Sequence, residues 1–174
     1  MKLFLDTRFI DTGKELDLIS IGITSDTGYL YYACNRDVQL NRVSPESQRS
    51  ILDSLPSQHY GTNPMRLAED DPVKADIETW RYRHQIANDL RLLGRSQPEI
   101  WSYNNPHGWV ALCQLFGRVE DLPNGFPATC HDIQSLATAM GKHDYLTEHP
   151  CDTPWHSLAN AVWIKRMHQI LTKP

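Results

Sequence analysis

Long apolar runs are missing from this sequence of 174 residues. The longest fall far short of the ~20 residues a bilayer-spanning helix needs, so no membrane span is predicted. The first acid arrives at Asp6, too early for the apolar stretch of a signal peptide. Cysteine is sparse: four residues, at positions 34, 113, 130 and 151, with no C-x-x-C spacing. Neither a zinc site nor a disulfide framework is predicted, and a reducing cytoplasm is the expected setting. An excess of positive charge is also absent, with 17 Lys and Arg against 21 Asp and Glu and a net charge of -4. That balance argues against a broad electrostatic grip on nucleic acid and leaves room only for a local basic groove. No repeat or low-complexity tract breaks the chain. With 40% hydrophobic and 22% charged residues, it reads as one globular domain over residues 1–174, large enough to bury a core.

Apolar patterning supplies the elements. Residues 2–5 are a short apolar run ending at Asp6, a buried strand that stops at an acid. Residues 16–24 are β-branched and apolar, and 29–34 are rich in tyrosine. Ser25-Asp26-Thr27-Gly28 between them is a turn, so 16–34 reads as a hairpin. Tyr31 and Tyr32 point to opposite faces of that strand. Residues 41–74 hold Pro45, Pro56, Pro64 and Pro72. They read as a short helix around 46–54 and then a long exposed loop with His59, Tyr60, Met65 and Arg66, a candidate interface.

Beyond this loop the period changes. Residues 75–93 place Ile77, Trp80, His84, Ile86 or Ala87, Leu90 and Leu93 at helical spacing, with Gly94 as a stop. A strand is expected at 99–103, a buried helix at 109–116 closed by Gly117, a short strand near 127–131 and a helix at 132–140 before Gly141. Thr153 and Pro154 suit the cap and first position of a last helix running through Leu158, Ala161, Val162, Met167 and Leu171. Trp80, Trp101, Trp109 and Trp163 fall at core-like positions. Three strands and then alternating helices and strands predict an α/β fold: a mixed five-stranded sheet flanked by helices.

Several blocks resemble one family. Phe4-Leu5-Asp6-Thr7-Arg8-Phe9-Ile10-Asp11 with Leu18-Ile19-Ser20-Ile21-Gly22 is similar to the opening of the DEDD-type 3'-5' exoribonucleases, in particular the group typified by the mycobacterial polyadenylate-specific RNase AS. Trp109 to Gly117, Trp80-Arg81-Tyr82-Arg83 with Gln85-Ile86-Ala87, Cys130-His131-Asp132 and Leu158-Ala159-Asn160-Ala161 resemble further blocks in the same order. The resemblance implies an RNase H-like fold, a homodimer, and RNA hydrolysis from the 3' end with two divalent cations held by four carboxylates beside a histidine base. Paired cations activate a water and stabilise the leaving oxygen, and hard cations require charged oxygen ligands.

The catalytic pattern is broken where the scaffold pattern is kept. Asp6 retains the first acid, but Arg8 stands at the glutamate position two residues on, on the same strand face. A guanidinium is always charged and has no lone pair to offer a metal; it can instead pair with Asp6. Gly108 occupies the second aspartate position, with Asn104, Asn105 and His107 nearby. Trp155 stands where the base belongs and Asn160 where the last aspartate belongs. His156 is one residue off and lies four residues before Asn160, on one helical face. It is either a displaced base or a solvated first-turn residue. Asp11 and Asp132 match acidic positions without being assigned to a metal.

The expected function is therefore a pseudonuclease, an exonuclease fold kept as a module for a nucleotide, an RNA or single-stranded 3' end, or a protein. Arg8, Trp155, His156 and Asn160 are the expected binding residues. No cofactor is expected in that case. The alternatives are an active exoribonuclease with relocated ligands, using Mg2+ or Mn2+ with Asp6 as a weak metal ligand, and a regulator or inhibitor acting through protein contacts.

Overall fold

A computed structural model describes residues 1–42, 50–51, 53–56, 79–104 and 106–173. Three antiparallel strands open the chain: β1 (Lys2–Asp11), β2 (Leu16–Ser25) and β3 (Leu30–Asn35). The predicted hairpin is present, turning at Gly28 with φ +96, a conformation that glycine adopts without a Cβ penalty. Then come β4 (Trp80–Arg81), α1 (Arg83–Arg91), β5 (Glu99–Ser102), α2 (His107–Gln114), β6 (His131–Asp132), α3 (Ile133–Ala139), α4 (Tyr145–Glu148) and α5 (Ser157–Leu171).

Among the described residues the sheet has six strands in the order β4-β3-β2-β1-β5-β6, one more than predicted. The addition is β4, which pairs in parallel with β3 through Cys34 and Asn35. Two residues have no periodicity, and Trp80 and Arg81 share the helical spacing of residues 83–93. The helix predicted over 75–93 accordingly begins at Arg83, after Tyr82; residues 57–78, including His59, Tyr60, Met65 and Arg66, lie outside the described set. Residues 50, 51, 53 and 54 are helical, in agreement with the later part of the helix expected around 46–54. The short strand expected near 127–131 is centred instead on His131–Asp132, where it pairs with Trp101 and Ser102 of β5.

Strand alternation divides the core between two faces. Leu3, Leu5, Ile21, Ile23 and Ala33 pack with Ile86, Leu90, Ala111 and Leu112 from α1 and α2. Phe4 points the other way, toward Ile133, Ile164, Met167 and Leu171 from α3 and α5. Tyr31 and Tyr32 obey the same rule. Tyr31 Oη donates to Asp89 of α1 at 2.9 Å, whereas Tyr32 stacks on His156 at 4.5 Å. Trp109 is buried. Trp101 stacks on His131 at 4.8 Å and is met edge-on by His168 at 4.6 Å.

Helix α5 begins three residues later than predicted. Its N-cap is His156, not Thr153: His156 Nδ1 accepts from the Ala159 backbone N–H at 3.2 Å. Docking against the sheet decides this start. A Cβ on Gly22 would lie 2.3 Å from Leu158 N and Ser157 C, and Ser20 Oγ and Ser157 Oγ are hydrogen-bonded at 3.1 Å. The helix start is pressed onto β2 at the one residue that permits backbone contact. Gly22→Ala should cost at least about 2 kcal/mol, since only backbone is available to move; urea unfolding at constant m-value checks this.

Candidate functional site

The candidate site sits where β1 and β5 run parallel and emerge together, the end of an α/β sheet where ligands commonly lie. A cavity of about 520 Å³ opens there, within the ~300–1,000 Å³ typical of small-ligand sites. Four segments build it: Asp6 to Phe9 of β1, the last residue of β5 on to Asn104, His107 and Gly108 of α2, and the stretch from α4 to Trp163 of α5. A register shift between Arg8 and Phe9 marks a bulge at this point of β1, a device common beside functional sites.

Alternation sends consecutive β1 residues to opposite walls. Asp6 and Arg8 face α5, and Thr7 faces α2. Asp6 is buried, 6% exposed. Its Oδ2 lies 2.9 Å from Arg8 Nη2, close enough for a charge contact but misaligned for a hydrogen bond, so that oxygen has no hydrogen-bond partner. Burial pushes the Asp6 carboxyl up to about 6. The Arg8 charge, a hydrogen bond from the Asn160 side chain and one from the Thr7 backbone pull it back only in part.

Arg8 is engaged on all three nitrogens. Nε donates to Trp155 O at 3.2 Å, Nη1 to Thr7 O at 3.4 Å, and Nη2 to Pro154 O. The guanidinium thus fastens the 150–155 segment to β1, and Ser54 Oγ adds a bond to Trp155 O at 3.2 Å. Trp155 itself is 43% exposed at the mouth of the cavity.

Gly108 leaves space rather than a ligand: a Cβ there would come 3.1 Å from Thr7 Oγ1 and 3.8 Å from Ser102 Oγ. Thr7 Oγ1, like Asp6 Oδ2, is buried without a hydrogen-bond partner. Asn160 is buried next to Asp6. The structure therefore brings Asp6, Arg8, Gly108, Trp155 and Asn160 to one cavity, as the family resemblance implies. His107, at the α2 start, lines it too and stacks on Phe9 at 6.0 Å.

His156 departs from expectation. It is neither solvated nor a wall of the cavity. It is 8% exposed, and its ring packs on Tyr32 while Nδ1 caps α5. Burial, with the Arg8 charge, lowers its pKa. Asp11 accepts from Gly13 N at 2.8 Å, and Asp132 is the N-cap of α3, accepting from Gln134 N and Ser135 N. Both acids are used locally. The sequence reading also missed Trp163. Treated as a packing residue, it lines the cavity with its Nε1 tied to His149 O at 2.7 Å and Tyr103 edge-on at 5.2 Å. Its helical spacing from Asn160 was the available signal.

The donor set does not fit a pair of divalent ions. Asp6 is the sole carboxylate among the described lining residues, and no three His, Cys, Asp or Glu side chains cluster among the described residues. The lone acid faces a fixed guanidinium, and neutral oxygens do not offset the dehydration of Mg2+. Among the described residues no helix is long and apolar enough to cross a membrane, and none of the four cysteines is in a disulfide.

The mixed sheet, its helical layers and a cavity at the strand ends define an α/β protein of the RNase H-like, exonuclease type. No family model matches the chain. Two curated proteins do: 3'-5' exoribonucleases of Mycobacterium tuberculosis strains CDC 1551 and H37Rv. Each is 31% identical over 140 residues, covering 78% of this chain and 73% of the relative. The chain belongs to this 3'-5' exoribonuclease family.

Proposed function

We propose that this chain is a catalytically degenerate member of its family, which uses the old active-site cavity to bind a nucleotide or an RNA 3' end. The observation that carries the reading is the Asp6–Arg8 contact of 2.9 Å inside a cavity with no second carboxylate among its described walls. A two-metal cleavage centre needs carboxylates on both sides; Gly108 and Asn160 supply none. The aromatic walls favour retained binding, because ring faces accept bases without regard to cleavage. The cavity residues proposed for this role are Trp155 and Asn160, with Arg8 as the clasp that holds Trp155 in place.

Incubation with a 3'-labelled poly(A) strand and Mg2+ or Mn2+ tests the reading. No trimming is expected, together with saturable binding of hexaadenylate. Trimming that disappears in Asp6→Ala would establish an active enzyme instead.

A further inference from the structure

Between α4 and α5 the chain runs as a strap, residues 149–156, along one side of the cavity. Pro150, Cys151, Pro154 and Trp155 of this strap are cavity walls. A second cavity of about 480 Å³ lies between α4, the strap and α5. Pro150, Cys151 and Trp163 line both spaces. The strap and Trp163 are thus the partition between them.

Little packing holds the strap in place. Asp152, Thr153, Pro154 and Trp155 are all exposed. The strap is anchored at its start, where His149 O accepts from Trp163 Nε1 at 2.7 Å, and at its end, where His156 is buried against Tyr32. Between these anchors the hold is polar. Arg8 Nε donates to Trp155 O at 3.2 Å, and Nη2 donates to Pro154 O. Ser54 Oγ, whose proton is shared with Ile51 O at 2.6 Å, adds a lesser tie to Trp155 O at 3.2 Å. Asp6 holds the same guanidinium by charge at 2.9 Å. Segments with few buried apolar contacts open at low free energy, so these few bonds set how often the strap lifts.

We infer that residues 150–155 form a lid latched by Arg8, and that lifting it joins the two cavities into one groove through which a ligand enters. Only the ligand's identity rests on the binding-module reading; the latch is a property of the free protein.

Chymotrypsin cleavage after Trp155, on the full chain, reads the latch. A protease must draw the scissile carbonyl into its own oxyanion hole, and Trp155 O is the carbonyl that Arg8 and Ser54 hold. When lifting is fast relative to cleavage, nicking tracks the lifted fraction. The double variant Asp6→Asn, Arg8→Gln removes the fork without leaving a buried ion alone. It should be cut at this bond about tenfold faster or more, the scale of a lost hydrogen bond to a charged group. Arg8→Lys keeps a charge beside Asp6 but not the planar fork. It should be cut several-fold faster and decides the matter if the double variant does not fold. Cleavage after Tyr32 and Trp101, inside the sheet, should not change.

The association rate of hexaadenylate, followed by stopped-flow tryptophan fluorescence, should rise by a similar factor, because the entry-competent fraction rises. Unchanged cleavage after Trp155 would overturn the latch, as would an acceleration shared with Tyr32 and Trp101, which marks global unfolding. Faster cleavage with an unchanged association rate would refute the lid as the entrance. Absence of hexaadenylate binding to parent and variants would sink the binding-module reading, and cleavage alone would then judge the latch.

Discussion

The triple variant Arg8→Glu, Gly108→Asp, Asn160→Asp should bind Mn2+ roughly 100-fold or more tighter than the parent, because ion affinity at oxygen sites tracks carboxylate count and geometry. The three positions are those where the family resemblance places acids, and the fold already converges them on Asp6. Asn160 donates its side-chain hydrogen bond to Asp6, Arg8 lies 2.9 Å from it, and a Cβ at Gly108 points to Thr7 Oγ1 at the same cavity. That Cβ would be tight at 3.1 Å from Thr7 Oγ1, so the Thr7 side chain must give slightly. Without metal, the new acids would repel each other and destabilise the variant. Mn2+ should then raise its melting temperature, by about 1.4 kcal/mol of stabilisation at ten times the dissociation constant, and should leave the parent unaffected. Arg8→Glu alone is the control: it removes the clasp on Pro154 and Trp155 while adding one acid. A parent protein whose melting temperature rises equally with Mn2+ would contradict the proposed degeneracy.

Asp6→Asn should stabilise the protein above neutral pH, the opposite of what a simple ion-pair picture predicts. A carboxyl raised from 3.8 to about 6 holds its proton more tightly in the folded state. The folded state therefore has its full stability below pH 3.8 and loses stability as pH rises through about 6. The displacement corresponds to about 3 kcal/mol, at ~1.36 kcal/mol per unit. Asparagine keeps the shape and removes the buried charge. Part of the gain is returned because Arg8 loses its counter-charge, although its three carbonyl partners remain. A net gain of about 2 kcal/mol at pH 8, or roughly 4–8 °C for a chain of this size, is expected, with little difference from the parent at pH 4. Calorimetry at the two pH values measures it. A variant that melts lower than the parent at pH 8 would show that the Arg8 attraction outweighs desolvation.

Such a cost is common where a site serves function at the expense of stability.

Much of the site was legible because strand alternation and helical spacing are local rules. Asp6 and Arg8, two apart on one strand, had to share a face. Asn160 and Gly108 were placed by neighbouring blocks that resemble family signatures. His156 was legible only as a polar residue near a helix start. Its orientation depends on Tyr32, 124 positions earlier in the chain, and on the dock at Gly22. Trp163 was misjudged for a related reason: apolar spacing identifies the inward side of a helix, but not whether that side meets a packed core or a cavity.

The sequence by itself determined that three strands open the chain and that the fold is α/β, because periodicity acts over a few neighbours, although the first strand, read as stopping at Asp6, runs on to Asp11. Only the tertiary structure decided that Arg8 is shared between Asp6 and three backbone carbonyls, that α5 starts at Ser157, and that two buried oxygens have no hydrogen-bond partner. These outcomes depend on which distant segments come within hydrogen-bond reach, and distance in space is set by the packing of the whole sheet.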